Sequence, residues 1–236
     1  MPFASPTPPS PHHVHLWQWD LDIRAGDFDG YWATLSDDER ARAERFHFDR
    51  HRRRFVAGRG ELRRILGAYL ALPPQAVALD YGAQGKPSCA TQPRGWTLCF
   101  NLSHSEQTAA LAVSNGFEIG IDVEQIRAID DDVPLETFSA DEREQFAALP
   151  RAQRQTVFFE NWARKEACLK ALGTGFTLPP THFEFDLSSG GDTAPRRVGG
   201  EAREAAHWRV RALRAGAACA GAVAARRDGW SIVSMN

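Results

Sequence analysis

Lysine is almost absent from this 236-residue chain. Lys86, Lys165 and Lys170 are the whole complement, and arginine supplies the rest of the 28 basic residues. Genomic base composition accounts for that bias as readily as function does. Cysteine is also scarce. Cys89, Cys99, Cys168 and Cys219 form no CxxC pair, which argues against a zinc site or a disulfide framework and for a reducing cytoplasm. A formal net charge of −2 leaves no electrostatic footprint for binding nucleic acid. No apolar run approaches the length needed to span a bilayer, and the N-terminus lacks the charged-then-apolar pattern of a signal peptide. What remains is ordinary for a soluble globular protein: 43% hydrophobic and 25% charged residues. The length suffices for one large domain or two small ones around a substantial core.

Punctuation along the chain sets out its organisation. Residues 1–11 are proline-rich and expected to form a loose tail. Val14 to Leu21 alternates apolar and polar residues, as a strand does. Ser36-Asp37-Asp38-Glu39 opens a charged helix in capping-box form, and a longer helix over Arg50 to Ala71 stops at Pro73-Pro74. Ala83 to Pro87 reads as a turn. Strands are predicted over Thr97 to Leu102, Thr108 to Ser114 and Glu118 to Glu124. A helix follows Ser139, with Glu142 three residues on, and the strongest helix runs from Val157 to Leu172, ending at Gly173. Ser188 to Gly200 is a polar, glycine-rich loop. Arg209 to Leu213 and Ala218 to Ala224 are closing strands. The order predicts an α+β fold in two halves, 12–115 and 116–236, joined near Gly116. No sequence repeat links them.

Four constellations stand out. In Gly120-Ile121-Asp122-Val123-Glu124, the period-2 geometry of a strand puts Ile121 and Val123 on one face and Asp122 and Glu124 on the other. Two carboxylates so placed repel unless something positive sits between them. A hard divalent cation such as Mg²⁺ fits, as does an ordinary half-exposed strand face. In the helix Phe158 to Leu172, the residues Phe158, Trp162, Leu169 and Leu172 form an apolar stripe. Lys165 falls inside it and requires an anionic partner; the alternatives are a phosphate or a lysine snorkelling to solvent beside a Glu166–Lys170 pair. Ser103-His104 ends a strand, where a histidine contacting phosphate competes with a structural one. It is a poor nucleophile–base pair, because adjacent residues rarely reach each other productively. The run Arg50-His51-Arg52-Arg53-Arg54 is either a solvated helix face or a phosphate clamp.

Together these segments resemble the surfactin-synthetase-activating type of 4′-phosphopantetheinyl transferase. The family pattern G-[IV]-D-[IV]-E is matched by Gly120 to Glu124. The pattern W-[ST/A]-x-K-E-[AS]-x-x-K is matched by Trp162 to Lys170, with Ala163 where serine or threonine is common. Gly85-Lys86-Pro87 and Phe100 to Ser105 match two further family elements, in order. The resemblance covers about Asp37 to Leu178.

The resemblance implies two similar α/β halves packed as an intramolecular pseudo-dimer, with coenzyme A in the cleft and Mg²⁺ on Asp122, Glu124 and Glu166. It implies Lys165 and Lys170 on the pyrophosphate, and Gly85, Lys86 and Pro87 around the adenine. Arg54, Ser103 and His104, with Arg42, are expected at the 3′-phosphate. The attacking serine of an apo acyl or peptidyl carrier protein would give its proton to Glu166, or to a metal-bound water assisted by Glu142. The chain is expected to be a cytoplasmic monomer. A Mg²⁺-dependent nucleotide pyrophosphatase and a catalytically silent coenzyme A binder that docks carriers are the rival readings.

Overall fold

Both faces of the central strands are apolar, and that property dictates a layered molecule. The structure is a computed structural model describing residues 6–129, 136–213, 215–216 and 218–235, with the side chain of Phe176 excepted. In chain order the elements are β1 (His13–Asp20), α1 (Phe28–Trp32), α2 (Asp37–Glu44), α3 (Asp49–Leu70), β2 (Leu79–Tyr81), β3 (Pro87–Cys89), β4 (Leu98–Ser105), β5 (Thr108–Asn115) and β6 (Gly120–Gln125). They continue with α4 (Ala140–Ala148), α5 (Arg151–Leu172), β7 (Phe183–Glu184), β8 (Arg197–Val198), α6 (Ala202–Ala205), β9 (Arg209–Ala212), β10 (Cys219–Ala225) and β11 (Ser231–Ser234).

One sheet has the order β11-β1-β5-β4 and a second has the order β6-β10-β9. Residue parity stacks them. On β1 and β5, Trp17, Leu111 and Val113 face α3, where Leu62, Ile65, Leu66 and Tyr69 meet them. The opposite residues, Val14, Leu16, Ala110 and Ala112, meet Ile121, Val123 and Val223 of the second sheet. On its far side Ala222 and Ala224 pack on Ala163 and Ala167 of α5. The layers therefore run helix, sheet, sheet, helix, and each half contributes one sheet with its covering helix.

Two features depart from the sequence expectation. The tail is tied down: Pro9 is buried, and its carbonyl accepts from Asn115 Nδ2 at 3.1 Å. Residues 1–5 lie outside the described residues. At the other end β11, which the pattern did not announce, leaves the second half and pairs in parallel with β1, Ser231 opposite His13. The chain thus closes its first sheet with its last strand, and the expected boundary between halves is crossed once. Among the described residues no helix is long and apolar enough to cross a membrane.

Candidate active site

The seam between the two sheets is built from side chains. Asn101, Ser103 and Ser105 alternate along β4 and share the face opposite Phe100 and Leu102. Their oxygens accept the N–H groups of Ile121 (2.9 Å), Val123 (3.3 Å) and Gln125 (3.0 Å) on β6. Side chains thereby do the work that backbone carbonyls do in a ladder, and the two halves are held in fixed register. On its other face β6 lies against α5 so closely that Gly120 has no room for a methyl group, which would run into the carbonyl oxygen of Ala167 and the amide of Ala171. That contact explains the glycine of the motif and brings the helix carboxylate and lysine over the strand carboxylates.

Asp122 is 3% exposed. Its Oδ1 accepts from Lys170 Nζ at 2.6 Å and from Ser103 Oγ at 2.9 Å, while its Oδ2 is buried with no partner. Glu124 is gripped at both oxygens, by Trp162 Nε1 at 3.1 Å and Ser105 Oγ at 3.2 Å. Burial raises the Asp122 carboxyl above its ordinary range, Lys170 pulls it back, and Glu124 adds to the rise. The Glu166 carboxyl is likewise raised, first by burial and then by the charge of Asp122, with Lys170 opposing and Glu124 reinforcing. The Asp122 and Glu166 carboxyls are thus both raised, with the Lys170 ammonium opposing the rise at each. Among the described residues no three histidine, cysteine, aspartate or glutamate side chains close into a ready-made metal site. The unpartnered Asp122 Oδ2 is nevertheless the kind of buried, electron-rich oxygen that a cation satisfies, so the donor set fits a hard divalent ion.

Several expected site residues are placed differently. Lys165 is wholly buried and bonded to Glu142 Oε2 (2.6 Å) and the Thr137 carbonyl (3.0 Å). Its anionic partner is a side chain of its own chain, so it does not reach the cleft. Glu142 is equally buried, and its oxygens also accept from Ser139 N (2.8 Å), Asn161 Nδ2 (3.2 Å) and Phe185 N (2.8 Å). Every lone pair of Glu142 is thus committed, and the residue has no exposure. Ser103 is 5% exposed, and its hydroxyl donates to Asp122 and accepts from Lys170 (3.1 Å) and Val123 N. Strand alternation sends it to the face opposite His104, beside Asp122. Lys86 bonds Glu118 at 2.6 Å and the carbonyls of Ile119 and Ala171 at 3.3 Å. Its amine ties the first half to the end of α5, and its stem borders the cleft. The apolar stripe on α5 is also broader than expected: Ala163, Ala167 and Ala171 are buried, while Leu172 is 39% exposed.

Two cavities meet at Leu102. One, of about 240 Å³, is bordered by Gly85, Lys86, Pro87, Glu166 and Lys170. The other, of about 430 Å³, is bordered by Arg42, His51, Arg54, Arg59 and His104. In the second, Arg54 already holds Asp22 in a fork (2.6 and 2.8 Å) and Glu106 at 2.7 Å. Three of its N–H groups are taken, and an arginine has five, so two remain to donate. Arg42 lies over the Phe55 ring at 5.1 Å. His104 opens into this cavity with its imidazole held below the ordinary histidine value, by desolvation first and then by the Lys170 and Arg42 charges. Of the residues around the carboxylates, sequence reasoning missed Asn101, Ser105 and the indole of Trp162. The alternating polar run Asn101-x-Ser103-x-Ser105, opposite an apolar face, is the signal that marks the first two.

Comparison with known proteins fits this geometry. A family model described as "4'-phosphopantetheinyl transferase, N-terminal" matches residues 19–116, and one described as "4'-phosphopantetheinyl transferase superfamily" matches residues 118–223. The 4′-phosphopantetheinyl transferase HetI of Nostoc sp. is 41% identical over 92% of this chain and 89% of its own. A 4′-phosphopantetheinyl transferase of Bacillus pumilus is 34% identical over 69% of this chain and 68% of its own. The human L-aminoadipate-semialdehyde dehydrogenase-phosphopantetheinyl transferase is 28% identical over 72% and 56%. With two family models matched in succession and a relative 41% identical over 92% of this chain, the chain belongs to the 4′-phosphopantetheinyl transferase superfamily.

Proposed function

We propose that this enzyme, of the surfactin-synthetase-activating type, moves the 4′-phosphopantetheine arm of coenzyme A to a serine of an apo acyl or peptidyl carrier protein with Mg²⁺, releasing 3′,5′-ADP. The observation that carries the reading is the buried Asp122, whose Oδ2 has no partner, set with Glu124, Glu166 and Lys170 beside a cleft whose far end holds Arg42, Arg54 and His104. Asp122, Glu124 and Glu166 are the residues to hold Mg²⁺, which supplies neutralisation of the charge that develops as the phosphoanhydride breaks.

The remaining work falls to the chain itself. His104 and the two spare N–H groups of Arg54 bind the 3′-phosphate, with Arg42 beside them. Gly85 and Pro87 border the adenine, along with the Lys86 stem. Lys170 donates to the pyrophosphate oxygens. Glu166 has no hydrogen bond among the described residues, so its lone pairs are free to take a proton. It accepts the proton of the carrier serine as that oxygen attacks the β-phosphorus. Ser105 and Trp162 keep Glu124 in place. Because one chain supplies both walls of the cleft, the enzyme works as a monomer, with a light-scattering mass near 26.2 kDa.

Mass spectrometry of an apo carrier protein incubated with the enzyme, coenzyme A and Mg²⁺ tests this. The serine loses its proton and gains the phosphopantetheine group, a net increase of about 340 Da. An unmodified carrier with coenzyme A hydrolysed to free phosphopantetheine would instead identify a pyrophosphatase. An unmodified carrier with intact coenzyme A would identify a binder.

A further inference from the structure

The position of Lys170 goes beyond holding phosphate. Its ammonium lies 2.6 Å from Asp122 Oδ1 and 3.1 Å from Ser103 Oγ, at the point where the three carboxylates need a positive charge. Asp122 is buried, while the Lys170 side chain is 31% exposed and borders the cavity next to Glu166. One end of this ion pair is fixed in a strand, and the other is a flexible four-carbon stem with open space beside it. No other lysine or arginine is hydrogen-bonded to Asp122, Glu124 or Glu166 among the described residues.

We propose that Lys170 is an internal stand-in for the divalent cation: it neutralises Asp122 while the cleft is empty and leaves it when coenzyme A and metal arrive. The inference rests on the metal reading of Asp122 given above. An ammonium and a divalent ion on the same carboxylate repel each other, so the ion cannot enter while the lysine stays. The incoming pyrophosphate supplies the lysine with a new anionic partner in the cavity it already borders. Metal and coenzyme A therefore bind together, and the free enzyme holds metal poorly. The lysine also spares the free enzyme an unpaired charge on a buried carboxylate, which is costly.

The test is Mn²⁺ binding followed by the electron paramagnetic resonance signal of free Mn²⁺, which reads no catalysis. Without coenzyme A, Lys170→Met and Lys170→Gln should each bind Mn²⁺ at least about tenfold tighter than wild type, the worth of one charge-assisted contact. The gain should vanish in the double variant Lys170→Met with Asp122→Asn. Suppose wild type with coenzyme A binds Mn²⁺ through Asp122, but neither single variant binds it more tightly alone. The metal site then stands and the stand-in role of Lys170 is wrong. If neither wild type with coenzyme A nor the variants bind Mn²⁺ through Asp122, the metal reading itself falls and takes this proposal with it. A measurement on wild type covers the case of a misfolded variant. The chain has three lysines, so the side-chain ¹⁵Nζ resonances are few. The Lys170 signal should shift when coenzyme A and Mg²⁺ are added together, and a signal that stays at its free-enzyme position overturns the proposal.

Discussion

Replacing Lys165 by methionine separates a structural lysine from a substrate-binding one. The ammonium is wholly buried, 2.6 Å from an equally buried Glu142. Methionine has nearly the same length and leaves Glu142 as a buried anion with its strongest partner gone. Breaking a buried pair from one side costs about 3–5 kcal/mol. In a chain of this length each kcal/mol moves the melting temperature by about 2–4 °C, so a fall of about 6–20 °C is expected. Adding Glu142→Gln removes the stranded charge while keeping one oxygen that can still accept from Asn161 Nδ2 and Phe185 N, although its NH2 then faces the Ser139 N–H. The double variant should therefore recover part of the loss, with a coupling of about 0.5–3 kcal/mol in a double-mutant cycle of urea unfolding. Calorimetry below the melting transition should find coenzyme A affinity within about threefold of wild type. The reasoning is refuted if Lys165→Met keeps its stability and loses coenzyme A affinity, because the lysine would then serve the phosphates.

Two further outcomes follow from the same geometry. Gly120→Ala should cost about 3 kcal/mol or more in denaturant unfolding, because the added methyl meets backbone of α5 that cannot move without the helix. Gly116→Ala, at φ +76° with open space around it, should cost only about 1–2 kcal/mol from its left-handed backbone. His104 is held below its ordinary value in the empty cleft, and a bound phosphate raises it. Binding should therefore take up a proton between the free and bound values, and affinity should fall as pH rises through that window. Calorimetry in buffers of different ionisation enthalpy should detect that uptake in wild type and not in His104→Ala. The variant should also bind coenzyme A about 10- to 150-fold more weakly.

Local pattern carried much of the fold. The strand parity of Gly120 to Glu124 is visible in five letters, because a strand offers only two faces, and the capping residues Ser36, Ser139 and Gly173 announce helix ends by their own chemistry. What stayed hidden depends on residues far apart in the chain. The need of Lys165 for an anion was legible. That the anion is Glu142, which the capping box had already explained, was not, because one carboxylate serves both the cap and the lysine. Ser231 to Ser234 is too short to read as a strand, and its partner β1 lies more than two hundred residues upstream. The resemblance implied that Ser103 and His104 serve one phosphate, whereas adjacency in a strand sends their side chains to opposite faces. Arg54 was legible as a cation, while its existing commitment to Asp22 and Glu106 arises only when the β4–β5 turn and the segment after β1 meet α3.

The central claim is that Asp122, Glu124 and Glu166 act together on the phosphoryl group while Lys165 and Glu142 do not. The rate of carrier modification by coenzyme A and Mg²⁺, followed by intact-protein mass spectrometry on folded variants, tests it most directly. Asp122→Ala and Glu166→Gln should each fall at least about 100-fold, the scale of losing one preorganised electrostatic contact. Lys165→Met, assayed at a temperature where it is folded, should stay close to wild type. Near wild-type transfer by Asp122→Ala or Glu166→Gln, with Lys165→Met folded and inactive, would contradict the account.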